Sequence, residues 1–222
     1  AHAAEALEQA ERDGIGAAMT YSRWALGLLE LGLGRMSEAI EQLEQVAELV
    51  EEHEMGQPVE VPWAQDLIEA YTRSGRSAEA TAVLRRLETL AENARLSSAL
   101  AAASRCRGLL ADENVFAGEF EQALMWHKRT PTPFERARTE LCYGERLRRA
   151  RSRSDARTHL RAALQTFDRL NAAPWAARAR TELAATGEVV RPRSEEGLAS
   201  LTPQELQLAL IVGRGATNKE AS

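Results

Sequence analysis

Apolar residues recur along this chain at three- and four-residue steps almost from end to end, the spacing that lines one face of an α-helix. Short turns interrupt the pattern regularly enough to define repeats. Gly34-Arg35 precedes Ala39, Leu43 and Val46; Gly75-Arg76 precedes Ala80, Leu84 and Leu87; Gly118-Glu119 precedes Ala123; and a last block carries Ala156, Leu160 and Ala163. Each unit reads as a helix, a tight turn and a second helix. The first helices carry Leu26 and Gly27, then Leu67 and Tyr71, and finally Tyr143, Gly144 and Leu147. The expected fold is all-α, a series of helical hairpins.

A small residue on the first helix of a hairpin lets the second approach closely. Gly27 and Gly144 hold that position, and Ala39, Ala80, Ala123 and Ala156 are placed at the crossing for the same reason. No single hairpin buries its apolar face alone, so neighbours must stack. The pattern resembles tetratricopeptide repeats, in which a small residue and an alanine stand twelve positions apart, as Gly27–Ala39 and Gly144–Ala156 do here. Successive crossing alanines lie 41, 43 and 33 residues apart, Glu30 stands where the repeat usually has tyrosine, and Ile68 stands where the second unit would have glycine. The resemblance implies a TPR-like helical-hairpin solenoid with irregular loops.

The breaks also set the domain plan. Residues 54–62, EMGQPVEVP, hold two prolines and a glycine and read as a projecting loop, and Thr130-Pro131-Thr132-Pro133 separates the third hairpin from the fourth. A last helix is expected after Asn171, with Pro174 in its first turn, running to about Ala185. Residues 1–186 thus form the helical repeat region. Residues 187–200 are polar and aperiodic, which marks a linker. Residues 201–222, LTPQELQLALIVGRGATNKEAS, announce one helix by Thr202, Pro203 and Glu205, then a second by Thr217 and Glu220, and stop after its first turn. That reads as the start of a further domain, cut short.

Composition adds little to the fold and more to the chemistry. Ala, Leu, Glu and Arg dominate, strong helix formers and poor strand formers. No run of about 18 apolar residues and no basic-then-apolar leader is present, so the expected location is the cytoplasm, away from any membrane. Cys106 and Cys142 lack CxxC spacing and a nearby histidine, and are expected to be buried thiols. Charge is uneven: residues 1–127 hold 10 basic and 22 acidic side chains, residues 128–193 hold 16 and 7, and residues 194–222 hold 2 and 4. The central block, with Arg148, Arg149, Arg151 and Arg153, is either a face for phosphates or an acidic partner, or a solvated helix surface in an arginine-biased chain.

The sequence contains no catalytic or metal-binding pattern. GxxxxGK[ST], GxGxxG, HExxH and GxSxG are absent, and His2, His53, His127 and His159 are scattered without ligand spacing. No catalytic residue, no metal site and no cofactor in these residues are expected, and the chain is not read as an enzyme. For a ligand, the inner surface of stacked hairpins is the expected place, with Trp24, Trp63, Asp66 and Tyr71 as candidates. That assignment requires the aromatics to be accessible rather than core.

Residues 134–222 carry a second resemblance. RTELCYGERLRR, ARTHLRAALQTFDRL and APWAARARTEL, then a linker, then LTPQE and GATNKE, resemble in their order the end of the large ATP-binding regulators of the LuxR family. In that family an ATPase module precedes a TPR-like region, and a helix-turn-helix domain ends the chain. The resemblance implies a sensor or interaction region attached to a truncated helix-turn-helix domain. ATP would serve the full-length protein, and promoter DNA, the ATPase module of the same chain and an unknown effector or protein would be partners, with a homodimer possible through an exposed terminal hairpin. Thr217, Asn218 and Lys219 would then face DNA phosphate from a helix N-terminus, or Thr217 is simply a cap. The alternative is a free-standing TPR-like scaffold that binds a peptide or partner protein.

Overall fold

In the computed structural model, which describes residues 2–52 and 62–188, the described residues form ten helices, with breaks at residues 14–15 and 95–96 that the pattern does not mark. They are α1 His2–Asp13, α2 Gly16–Leu33, α3 Met36–Glu52, α4 Trp63–Arg73, α5 Ser77–Ala94, α6 Ser97–Leu110, α7 Phe116–His127, α8 Pro133–Arg149, α9 Arg153–Arg169 and α10 Ala173–Ala185. All fall within one compact unit, Ala1–Glu188. Among the described residues the structure is entirely helical, and consecutive helices pack as neighbouring pairs. Residues 53–61, the linker after Glu188, the segment 201–222 and its Thr217, Asn218 and Lys219 lie outside the described residues.

Four of the tight turns close in one way. The amide of Arg35 bonds to the Glu30 carbonyl, Arg76 to Tyr71, Ser152 to Leu147 and Ala172 to Phe167, each at 2.9 Å and each five residues back. This bond satisfies a carbonyl left orphaned at a helix end, and it needs one residue in the left-handed region just before the donor. Gly34 and Gly75 fill that place at φ 81° and 75°, and Arg151 and Asn171 fill it at 65° and 54°. The third hairpin departs from the pattern. Its turn runs through residues 111–115, where the Asp112 carbonyl accepts from Val115 and Phe116, and Gly118 lies inside α7 rather than at a turn. The turn expected at Gly118-Glu119 is therefore displaced toward the N-terminus.

The small-residue crossings pack closely. A Cβ on Gly27 would sit 2.7 Å from Leu43, and one on Gly144 would sit 2.6 Å from Leu160, so α2 meets α3 and α8 meets α9 at distances only glycine permits. Ile68 and Leu84, both buried, occupy the same two positions in the second hairpin. In the third, Gly108 lies under the Phe120 ring, at 2.8 Å from a Cβ.

The even-numbered helices form a second set of contacts. α2 touches α4, α4 touches α6, α6 touches α8, and α10 returns to α2. Trp175 of α10 seats against Gly32 of α2, where a Cβ would lie 2.7 Å from the indole nitrogen. Phe134 and Phe167 meet Trp175 from α8 and α9, with ring centroids 5.6 and 6.0 Å away. The chain's first and last hairpins are thereby joined.

Candidate functional site

Where α4, α6, α8 and α10 meet, the interior is charged. On α4, Asp66 and Glu69 stand three residues apart and so share a face. The same spacing pairs Glu135 with Arg138 on α8, and Trp175 with Arg178 on α10, while Arg105 projects from α6 and Glu145 from farther along α8. Asp66, Glu69 and Arg138 are fully buried and Arg105 is 1% exposed.

Arg138 is the hub. Its Nη1 donates to Asp66 at 2.5 Å and to Glu135 at 3.3 Å, and its Nη2 donates to Glu69 at 2.7 Å. Arg178 donates to Glu69 at 2.6 Å, bridging residues 109 apart in sequence, and grips both oxygens of Glu145 at 2.7 and 2.9 Å. Arg105 donates through Nη1 to the side chain and carbonyl of Glu135 at 2.8 and 3.2 Å. Gln65 adds a bond to Glu135 at 3.1 Å, and the Trp24 indole donates to Asp66 at 2.8 Å. The Arg138 guanidinium also lies over the Trp175 ring, 4.7 Å from its centroid.

Burial raises the energy of each charge, and the partners decide which form survives. Burial opposes ionisation of Glu69, but Arg178 and Arg138 outweigh it and hold the carboxyl well below its usual range. For Glu135, burial is likewise overcome by Arg138 and Arg105, and its pKa falls to about 2. Asp66 goes the other way. Burial, with Glu135 nearby, pushes its carboxyl up despite Arg138. Against the cost of burial, their carboxylate partners hold Arg138 and Arg178 well above the ordinary guanidinium value.

Other chemistry-bearing groups are quiet. Cys106 and Cys142 are buried free thiols, pushed up to about 12 by burial, and so remain protonated at neutral pH, as expected of core cysteines. His127 is buried, its Nε2 2.9 Å from the Thr139 hydroxyl, and burial with the Arg105 charge lowers its pKa to about 4. Among the described residues no group of His, Cys, Asp and Glu is arranged to hold a metal ion.

The candidate inner-surface residues need correction. Trp63, Tyr71 and Asp66 are all buried, so none offers a surface to a ligand. Tyr71 donates to Glu44 at 2.6 Å under the Arg76 guanidinium, and Trp63 lies beneath Arg86. Only Trp24 is partly exposed, and it is tied to Asp66. Asp66 is covered by Arg138 of α8, whereas Tyr71 and Trp63 are covered by Glu44 of α3, Arg76 of the α4–α5 turn and Arg86 of α5. Of the basic block, Arg148 donates to Glu182 at 2.6 Å and Arg149 lies 3.7 Å from Glu145. Arg151 is a turn residue, and it and Arg153 are exposed. Two of the four charges are thus matched internally.

Glu69, Arg105, Glu135, Arg138, Glu145 and Arg178 were not singled out from sequence. A signal existed: Glu135, Arg138, Cys142 and Glu145 run in steps of three and four along α8, beside the Leu141 stripe, and Asp66, Glu69 and Arg73 do the same on α4. On both helices these charges flank the apolar positions, Leu141 on α8 and Leu67 and Ala70 on α4, rather than lying opposite them. No protein-family model, no curated protein and no solved structure matches the chain. No helix among the described residues is long and apolar enough to cross a membrane.

Proposed function

We propose that this chain is the TPR-like sensor and interaction region of an ATP-dependent transcriptional regulator of the LuxR type, joined to the beginning of its DNA-binding domain. The observation that carries this reading is the order of motifs over residues 134–222. Its first three motifs coincide with three consecutive packed helices, α8, α9 and α10. The twelve-residue Gly–Ala spacing, with glycine under leucine at both Gly27 and Gly144, supports the TPR-like part. In this reading promoter DNA is bound by a completed C-terminal domain, ATP by a module of the same protein, and the protein works in the cytoplasm.

The charged interior gives such a region a mechanical role. In this reading the ion pairs that tie α4 to α8 and α10 are the contacts through which a change at one end would reach the helix that leads into the linker. Sequencing the gene on both sides of these 222 codons tests the proposal. A phosphate-loop motif upstream and a completed helix-turn-helix downstream are expected. A stop codon directly after Ser222 would refute the regulator and leave a protein-interaction scaffold.

A further inference from the structure

Arg105 is 1% exposed, yet its Nε and Nη2 have no hydrogen-bond partner among the described residues, and neither does Nε of Arg138. Buried donors on a charged group are costly to leave unmatched, and each such group calls for an explanation. The two nitrogens on Arg105 are not a random pair. Nε and Nη2 form one edge of the guanidinium, with their N–H bonds nearly parallel, and that edge engages both oxygens of a carboxylate or phosphate. The remaining nitrogen, Nη1, is the one held by Glu135.

Glu135 is also the cluster's way out. Its side chain is 26% exposed, while those of Arg105 and Arg138, both of which it contacts, are 1% and 0% exposed. It sits in the first turn of α8, straight after the Thr130–Thr132 turn. A carboxylate reaching in from solvent already occupies part of this guanidinium cluster, and the edge of Arg105 that it leaves free is the better one for an oxyanion.

We propose that Arg105, with Arg138 beside it, forms an internal binding site for a small oxyanion, carboxylate or phosphate, which enters past Glu135 and takes the Nε–Nη2 edge. Glu135 stays on Nη1, and its negative charge on the same guanidinium opposes the incoming anion. The site stands on this geometry whether or not the chain belongs to a regulator.

The test is the thermal midpoint of the 222-residue chain titrated with sodium phosphate, and separately with sodium acetate, against sodium chloride at equal ionic strength. For at least one oxyanion the midpoint rises saturably, by roughly 5–10 °C at a hundredfold excess over Kd. Response to phosphate alone assigns a phosphate-bearing ligand, and response to acetate a carboxylate. Glu135→Ala, which removes that opposing charge, tightens the titration by about tenfold, and Arg105→Met abolishes it. If Arg105→Met fails to fold, the gain in Glu135→Ala decides. A flat response in the unaltered chain overturns the proposal, as does one confined to Glu135→Ala, because the edge is then met by internal water. A titration unchanged in a folded Arg105→Met chain overturns it too.

Discussion

Replacing Arg138 with methionine tests the central claim that α4 and α8 are held by a buried charge rather than by apolar packing alone. Methionine keeps much of the side chain's length and removes only the guanidinium. Glu69 still has Arg178, and Glu135 still has Arg105 and Gln65, so Asp66 alone is orphaned, with only the Trp24 N–H left. Stripping one partner from a buried pair costs about 3–5 kcal/mol. Asp66 is already pushed above its ordinary value of 3.8, so it takes up a proton in the variant, and the cost of doing so grows by about 1.4 kcal/mol per pH unit. A raised folded pKa means the unfolded chain ionises first, so the penalty rises with pH and shrinks in acid. Urea unfolding against the unaltered chain is expected to show a loss of about 3–5 kcal/mol at pH 7.5, falling to about 1.5 kcal/mol or less at pH 5. Adding Asp66→Asn to Arg138→Met recovers most of the loss at pH 7.5 and little at pH 5. A loss below about 1 kcal/mol at pH 7.5, or one that does not depend on pH, would refute the account.

Three further outcomes follow from particular contacts. Gly144→Ala drives a methyl to within 2.6 Å of Leu160 and costs about 1–3 kcal/mol, whereas Gly118→Ala, with nothing within 4 Å, gains about 0.5–1 kcal/mol by removing a helical glycine; chemical denaturation of both variants checks the contrast. Gly32→Ala displaces the Trp175 indole and is expected to speed amide exchange in α2 and α10 ahead of α5 and α7, and uniform protection would contradict the α2–α10 junction. His127 is neutral in the fold, with its pKa lowered from 6.5 to about 4 by burial and then by Arg105, so the unfolded chain binds its proton first. Its contribution is intact above pH 6.5 and is lost as pH falls toward 4, by at most about 1.4 kcal/mol per unit; stability measured from pH 7.5 to 4.5 should flatten in His127→Gln, and an unchanged slope counts against this assignment.

The helices and most of their turns were legible because each depends on local information. Gly34 and Gly75 mark left-handed turn residues, Pro133 and Pro174 mark first turns, and the Gly–Ala spacing of twelve marks a close crossing. The third hairpin was misread for the same reason: Gly118-Glu119 looks like Gly34-Arg35, but the positive-φ residue that ends the preceding helix elsewhere is missing there, and the chain turns on Asp112 instead. The interior was not legible, because it depends on which helices meet. The sequence pattern puts Asp66 on a ligand-facing surface, yet it is buried, since the position that would face solvent in an open array faces Arg138, 72 residues away. A helix with one apolar stripe implies a charged outer face. Here α4 and α8 have neighbours on a second side, and the charges that a single-helix reading assigns to water are paired with each other. The same convergence that buries Asp66 against Arg138 leaves one guanidinium edge of Arg105 without an acceptor, so the place with capacity for a ligand is the ion cluster and not the aromatic positions of α4.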